Sequence, residues 1–312
     1  MADIVLYFKD VTVQVAVLFV MIGVGVLITK IGMLKENGAK QLTDIILFVV
    51  TPAVIIKAFM SIEFSPLNLG RMLTAFVSAV ICHLIAYAIG SLCFIKLEKT
   101  RKAIATGCVI FSNGGYMSIP LAAAILGDMG VFLVSVYVAV FNVFLWTLGL
   151  KLFSNEKISF KKIVLNPNII ALVVGIILFF VRADITSVDI VYAPISSFAA
   201  LNAPLAMIII GYHLSNSSIK FEKGDGALFA AVALKIIAIP LIMILLLWLA
   251  GVRGAILTGC LIPASAPTAA AVTMFVTRFG GDARLSSKAL SVSHILSIIT
   301  IPIMLTLCKF IG

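Results

Sequence analysis

Two short stretches hold the residues best suited to chemistry, SNGGYMSIP at 112–120 and IPASAPTAAA at 262–271. Each lies inside an apolar run of membrane length, where Gly and Pro are poor helix material. Against Ala they cost roughly 1 and 3 kcal/mol inside a helix. In hydrocarbon, freed backbone is tolerated only where it is buried in protein or lines a cavity. A helix that restarts after a break presents unpaired N–H groups and a partial positive charge, which suits a carboxylate. Asn113 adds an amide with two donors and an acceptor. The candidate substrate-binding residues are therefore Asn113, Gly114, Gly115 and Pro120 in the first break, and Ser265, Ala266, Pro267 and Thr268 in the second.

Ionisable residues inside apolar runs are costly and point to function. Lys235 lies five residues before Pro240, well inside a span, and is a candidate for an anion pathway or for coupling. Asp44, early in the second run, and His294 are the other coupling candidates, although packing is the plainer reading of both His213 and His294. Lys57 sits near a span end, where its chain can snorkel to the interface. No acidic residue falls in the middle of a span, which argues against a sodium site built from carboxylates. Proton coupling, sodium held by carbonyls and hydroxyls, and potential-driven anion export stay open. The five cysteines form no CxxC and the three histidines no HExxH, so no metal centre or other cofactor is expected.

The elements that position these residues follow from composition. The 312 residues are 62% hydrophobic and 12% charged, with a mean hydropathy of +1.22. Soluble domains carry about 25% charged residues. The chain reads as an all-α polytopic membrane protein with ten spans, near 11–29, 41–60, 72–95, 103–126, 130–152, 163–181, 190–214, 226–250, 254–276 and 286–308. Its net charge of +10 belongs to loop lysines at a membrane surface rather than to nucleic-acid binding. Sixteen Lys and Arg fall on one alternating set of loop ends and five on the other. That asymmetry places loops near Lys35, Lys99, Lys157, Glu222 and Asp282 in the cytoplasm, with both termini outside. No cleavable signal sequence is expected at the N-terminus.

A repeat organises the spans. RKAIATGCVI at 101–110 matches RGAILTGCLI at 253–262 at seven of ten positions, and the same offset of 152 carries Pro52 onto Pro204 and Asn113 onto Ser265. The expected units are residues 1–152, a short cytoplasmic linker at 153–162, and residues 163–312. Five spans per unit give the halves opposite topology, the inverted repeat of secondary transporters, whose binding sites lie at symmetry-related broken helices.

NGGYMSIP, APTAAAVTMFVTRFGGD, LNPNIIALVVG and TPAVIIKAF, in this order and spacing over nearly the whole chain, resemble the auxin efflux carrier family in its short bacterial form. The resemblance implies a bile-acid-transporter-like fold with broken, crossing fourth and ninth helices. Helices 1, 2, 6 and 7 would form a scaffold with a homodimer interface, and helices 3–5 and 8–10 a transport domain. It further implies that Asn113 contacts a substrate carboxylate, that the crossing prolines are Pro120, or its glycine-rich approach, and Pro267, and that Asn166, Pro167 and Asn168 lie near the cytoplasmic mouth. Ala266 and Phe279 stand where bacterial relatives often have Met and Tyr, and the long central loop of the plant branch is missing. Small dicarboxylates such as malonate or malate are thus as plausible as auxin-like acids.

The leading expectation is a secondary transporter of small organic anions in the inner (plasma) membrane, working by elevator-like alternating access. A channel or membrane sensor on the same fold is the alternative, since fold alone does not fix function. An intramembrane enzyme fits less well, because Asp128 and Asp282 fall in loops and no nucleophile–base pair is visible. No phosphate-binding loop supports ATP-driven pumping.

Overall fold

The computed structural model describes residues 2–154, 156, 158, 160–181, 188–217, 222 and 225–311. Lys157, expected in a cytoplasmic loop, lies outside them. The described chain is helical almost throughout. Its helices are α1 (Ala2–Lys30), α2 (Glu36–Met60), α3 (Pro66–Cys93), α4 (Lys99–Ile110), α5 (Gly114–Phe153), α6 (Phe160–Val164), α7 (Pro167–Val181), α8 (Asp189–Ala200), α9 (Asn202–Ser215), α10 (Gly226–Leu249), α11 (Gly254–Ser265), α12 (Ala270–Arg278) and α13 (Ala283–Ile311).

Among the described residues, seven helical stretches are long and apolar enough to cross a membrane. That is fewer than the ten spans expected, for a local reason. The two expected broken spans are split into short pieces, with α4 and α11 at 12 residues each. α7 has 15 residues. The long stretch Gly114–Phe153 joins the second half of one expected broken span to the whole of the next, divided where Gly127 takes φ 59° and ψ −146°. Only Gly adopts such a backbone cheaply.

Three prolines deform their helices in the same way. Pro52, Pro120 and Pro240 each follow a π-helical turn, at Ile46–Val50, Gly114–Ser118 and Leu234–Ala238. In each case the residue before the proline donates its N–H to the carbonyl five residues back: Thr51 to Ile46, Ile119 to Gly114 and Ile239 to Leu234. Proline lacks an N–H and clashes with the carbonyl four residues behind it, and one wider turn relieves both faults without ending the helix.

The helices pack in two groups. α1, α2, α7, α8 and α9 lie against one another, and α3, α4, α5 and α10 to α13 do likewise. Contacts of α1 with α13, and of α2 and α9 with α5, join the groups. At one end, Asp225 ahead of α10 accepts a hydrogen bond from Lys288 of α13 at 2.7 Å. That bond, with the backbone N–H of Glu222, holds the Asp225 carboxyl below the ordinary carboxylate range.

α1 crosses α9 with backbone close to backbone. A Cβ on Gly211 would lie 2.4 Å from the Ile22 carbonyl oxygen, and one on Gly25 would lie 2.6 Å from that of Ile208. Both neighbours are backbone and cannot move aside. Gly211→Ala should therefore cost about 1–3 kcal/mol through overpacking and lower the thermal unfolding midpoint by several degrees. Gly23→Ala, with nothing within 4 Å of its added Cβ and a better helix former in mid-helix, should hold the midpoint or raise it slightly.

Candidate substrate site

The two helix breaks meet. Ser112 and Thr268 form an antiparallel β-bridge. Asn113 N–H donates to the Pro267 carbonyl at 2.8 Å, and Ala269 N–H donates to the Phe111 carbonyl at 2.8 Å. Each break thus satisfies backbone groups that the other has freed, as burial away from water requires. Side chains complete the junction. The Thr268 hydroxyl donates to the Cys108 carbonyl at 3.1 Å, and the Thr268 N–H donates to the Ser293 hydroxyl at 3.1 Å. The Tyr137 hydroxyl donates to Ser112 Oγ at 3.0 Å.

A cavity of about 610 Å³ runs from this junction to the surface. Its inner end is formed by Asn113, Gly114, Gly115 and Tyr116, at the start of α5, and by Ala269, Ala270 and Ala271, at the start of α12. Two helix N-termini therefore border one space, and their orphan N–H groups favour an anion there. Phe141, Trp146 and Phe275 contribute aromatic wall, with the Trp146 and Phe275 rings edge to face at 5.2 Å. At the outer end stand the exposed cations Lys161, Lys162 and Arg278.

Asn113 is 4% exposed, and its amide orientation is fixed by a neighbour. His294 Nδ1 lies 2.7 Å from the Leu290 carbonyl, which can only accept, so the proton sits on Nδ1. His294 Nε2 is then an acceptor, and Asn113 Nδ2 donates to it at 3.0 Å. Oδ1 and the second N–H of Asn113 are left for other partners. Farther out, Asn166 Nδ2 donates to Asn142 Oδ1 at 3.1 Å, and Asn168 N–H donates to Asn166 Oδ1 at 2.9 Å. Asn168 Oδ1 is buried without a hydrogen-bond partner.

The residues expected from sequence thus fall into distinct places. Asn113, Gly114, Gly115, Asn166 and Asn168 line the cavity. Ser265, Ala266, Pro267 and Thr268 lie at the junction without lining it. Pro120 is buried in α5, past the π-helical turn and off the cavity, and the two breaks meet at Ser112 rather than at that proline. His294 holds Asn113, and Lys235 reaches the junction from α10. Asp44 is exposed and contributes nothing to the cavity wall. Sequence reading passed over Asn142, Tyr137 and Ser112. Asn142 had a usable signal, since the offset of 152 carries it onto His294.

A family model described as a membrane transport protein matches the chain twice, at residues 10–162 and 154–305. No curated protein matches the chain.

Proposed function

This chain belongs to the membrane transport protein family of the auxin efflux carriers, and from that premise we propose that it is a secondary carrier of small organic carboxylates. The observation that carries the reading is the cavity whose inner end joins Asn113 to the N-termini of both broken helices. A carboxylate there would meet the second Asn113 N–H and two positive helix ends. The aromatic wall at Phe141, Trp146 and Phe275 favours an acid with an apolar body, in the manner of auxin, over a small dicarboxylate. Lys161, Lys162 and Arg278 at the outer end would draw anions in.

In this reading the chain crosses the membrane ten times as two inverted five-helix repeats, with the junction near the bilayer midplane and the cavity open to the cytoplasm. Both termini lie outside the cell membrane. α1, α2, α7, α8 and α9 form the static scaffold and carry a homodimer contact, while α3 to α5 and α10 to α13 move as the transport domain.

Gly115 gives a direct test. A Cβ there meets nothing within 4 Å, and Gly115 lines the cavity. Gly115→Leu should fill the site while sparing the fold. Carboxylates that raise the thermal midpoint of the wild-type protein, as a ligand selective for the folded state must, should raise that of Gly115→Leu by less than a third as much. An equal shift in both proteins would place the binding site elsewhere.

A further inference from the structure

Lys235 is fully buried, and among the described residues no carboxylate forms an ion pair with it. It lies in the π-helical turn Leu234–Ala238 of α10, ahead of Pro240. Its ammonium donates to Ser112 Oγ, in the break that follows α4, and to the Ala264 carbonyl at 3.4 Å, in the last turn of α11. These are the C-terminal ends of the two half-helices, whose N-terminal continuations face the cavity. A helix C-terminus carries about half a negative charge, so two of them balance about one ammonium. In carriers with broken helices, unwound carbonyls and half-helix C-terminal ends are where Na⁺ binds, while the N-terminal ends take the anionic substrate.

We infer that the Lys235 ammonium is a resident cation, standing where a coupling Na⁺ would otherwise sit and holding the two broken helices together without any ion from solution. Ser112 Oγ, which also accepts from Tyr137, and the Ala264 carbonyl are hard oxygen donors of the type Na⁺ uses. With the ammonium in place the site needs no free cation. With the ammonium removed, the same oxygens face a space that a small cation can enter. The inference rests on the carrier reading only for the name of coupling site, since its test uses no substrate.

The test is thermal unfolding of the purified full chain in NaCl and in choline chloride at equal ionic strength. Wild type and Lys235→Arg should unfold at the same temperature in both salts. Lys235→Ser should unfold lower in choline and recover with NaCl in a saturable way, by about 5 °C once the ion is well above its dissociation constant. A wild-type protein stabilised by Na⁺ over choline would overturn the inference, as would a folded Lys235→Ser with no Na⁺ response. If Lys235→Ser cannot be recovered folded, Lys235→Gln replaces it. A Gln variant as stable as wild type in choline would mean that hydrogen bonding suffices without the charge, and would also overturn the inference. A Gln variant rescued by Na⁺ alone would support it. Failure of the carrier reading would appear as indifference to carboxylates and would leave these salt comparisons intact.

Discussion

Asn113→Ala should weaken carboxylate binding by about ten- to a hundredfold. A charge-assisted hydrogen bond from a buried amide contributes about 1.5–3 kcal/mol, and 1.4 kcal/mol is tenfold in affinity. Asn113 also keeps the junction filled by donating to His294 Nε2. The alanine variant must therefore be compared with wild type as folded, purified protein. Asn113→Asp should bind worse still near neutral pH, because a carboxylate would oppose both the substrate and the His294 Nε2 lone pair. One proton shared between the new carboxyl and His294 removes both conflicts, so binding by Asn113→Asp should recover in part as pH falls. Asn113→Ala should gain no more than wild type over the same range. Calorimetric titration with a carboxylate at two pH values checks both variants, and unchanged affinity in Asn113→Ala would remove the residue from the site.

Locking the Asn142–Asn166 contact should stop transport altogether. Asn142 lies on α5, in one helix group, and Asn166 directly precedes α7, in the other. Their hydrogen bond at 3.1 Å spans the groups along the cavity wall. If one group slides against the other, this contact must open in every cycle. Cysteines at 142 and 166, in a background with the five native cysteines replaced, should be joined by a short bis-thiosulfonate reagent, which links the two thiols through disulfides. Uptake should fall to background after cross-linking and return with reductant, each protein being compared with itself before treatment. Each single-cysteine variant should be insensitive to the same reagent. Full cross-linking with uptake intact would mean that these groups do not move against each other.

The breaks were legible in the sequence because Asn, Gly and Pro violate helix propensity inside runs that hydrophobicity alone would make continuous. Lys235 was legible for the same kind of reason, a charge where none is cheap. The register of the junction was not. Sequence symmetry matches Asn113 with Ser265, whereas the bridge joins Ser112 to Thr268, because two antiparallel segments pair by hydrogen-bond geometry and not by repeat position. His294 read as a packing residue because its partner lies 181 positions away. The repeat offset pointed to Asn142 through His294, but its pairing with Asn166 was not legible, because that partner lies on the far side of the central linker. Pro120 signalled distortion, but that it, like Pro52 and Pro240, would be absorbed in a π-helical turn depends on neighbouring helices holding the ends in line.

Counterflow in proteoliposomes shows whether a carboxylate bound at the junction is carried across the membrane. Vesicles preloaded with an unlabelled carboxylate that stabilises the protein should take up the labelled acid faster than empty vesicles. That stimulation should saturate with concentration and disappear in Gly115→Leu. A carrier exchanges loaded forms and so shows this effect. Uptake that neither saturates nor responds to preloading would identify a channel, and binding without uptake would identify a sensor; either result would rule out a carrier.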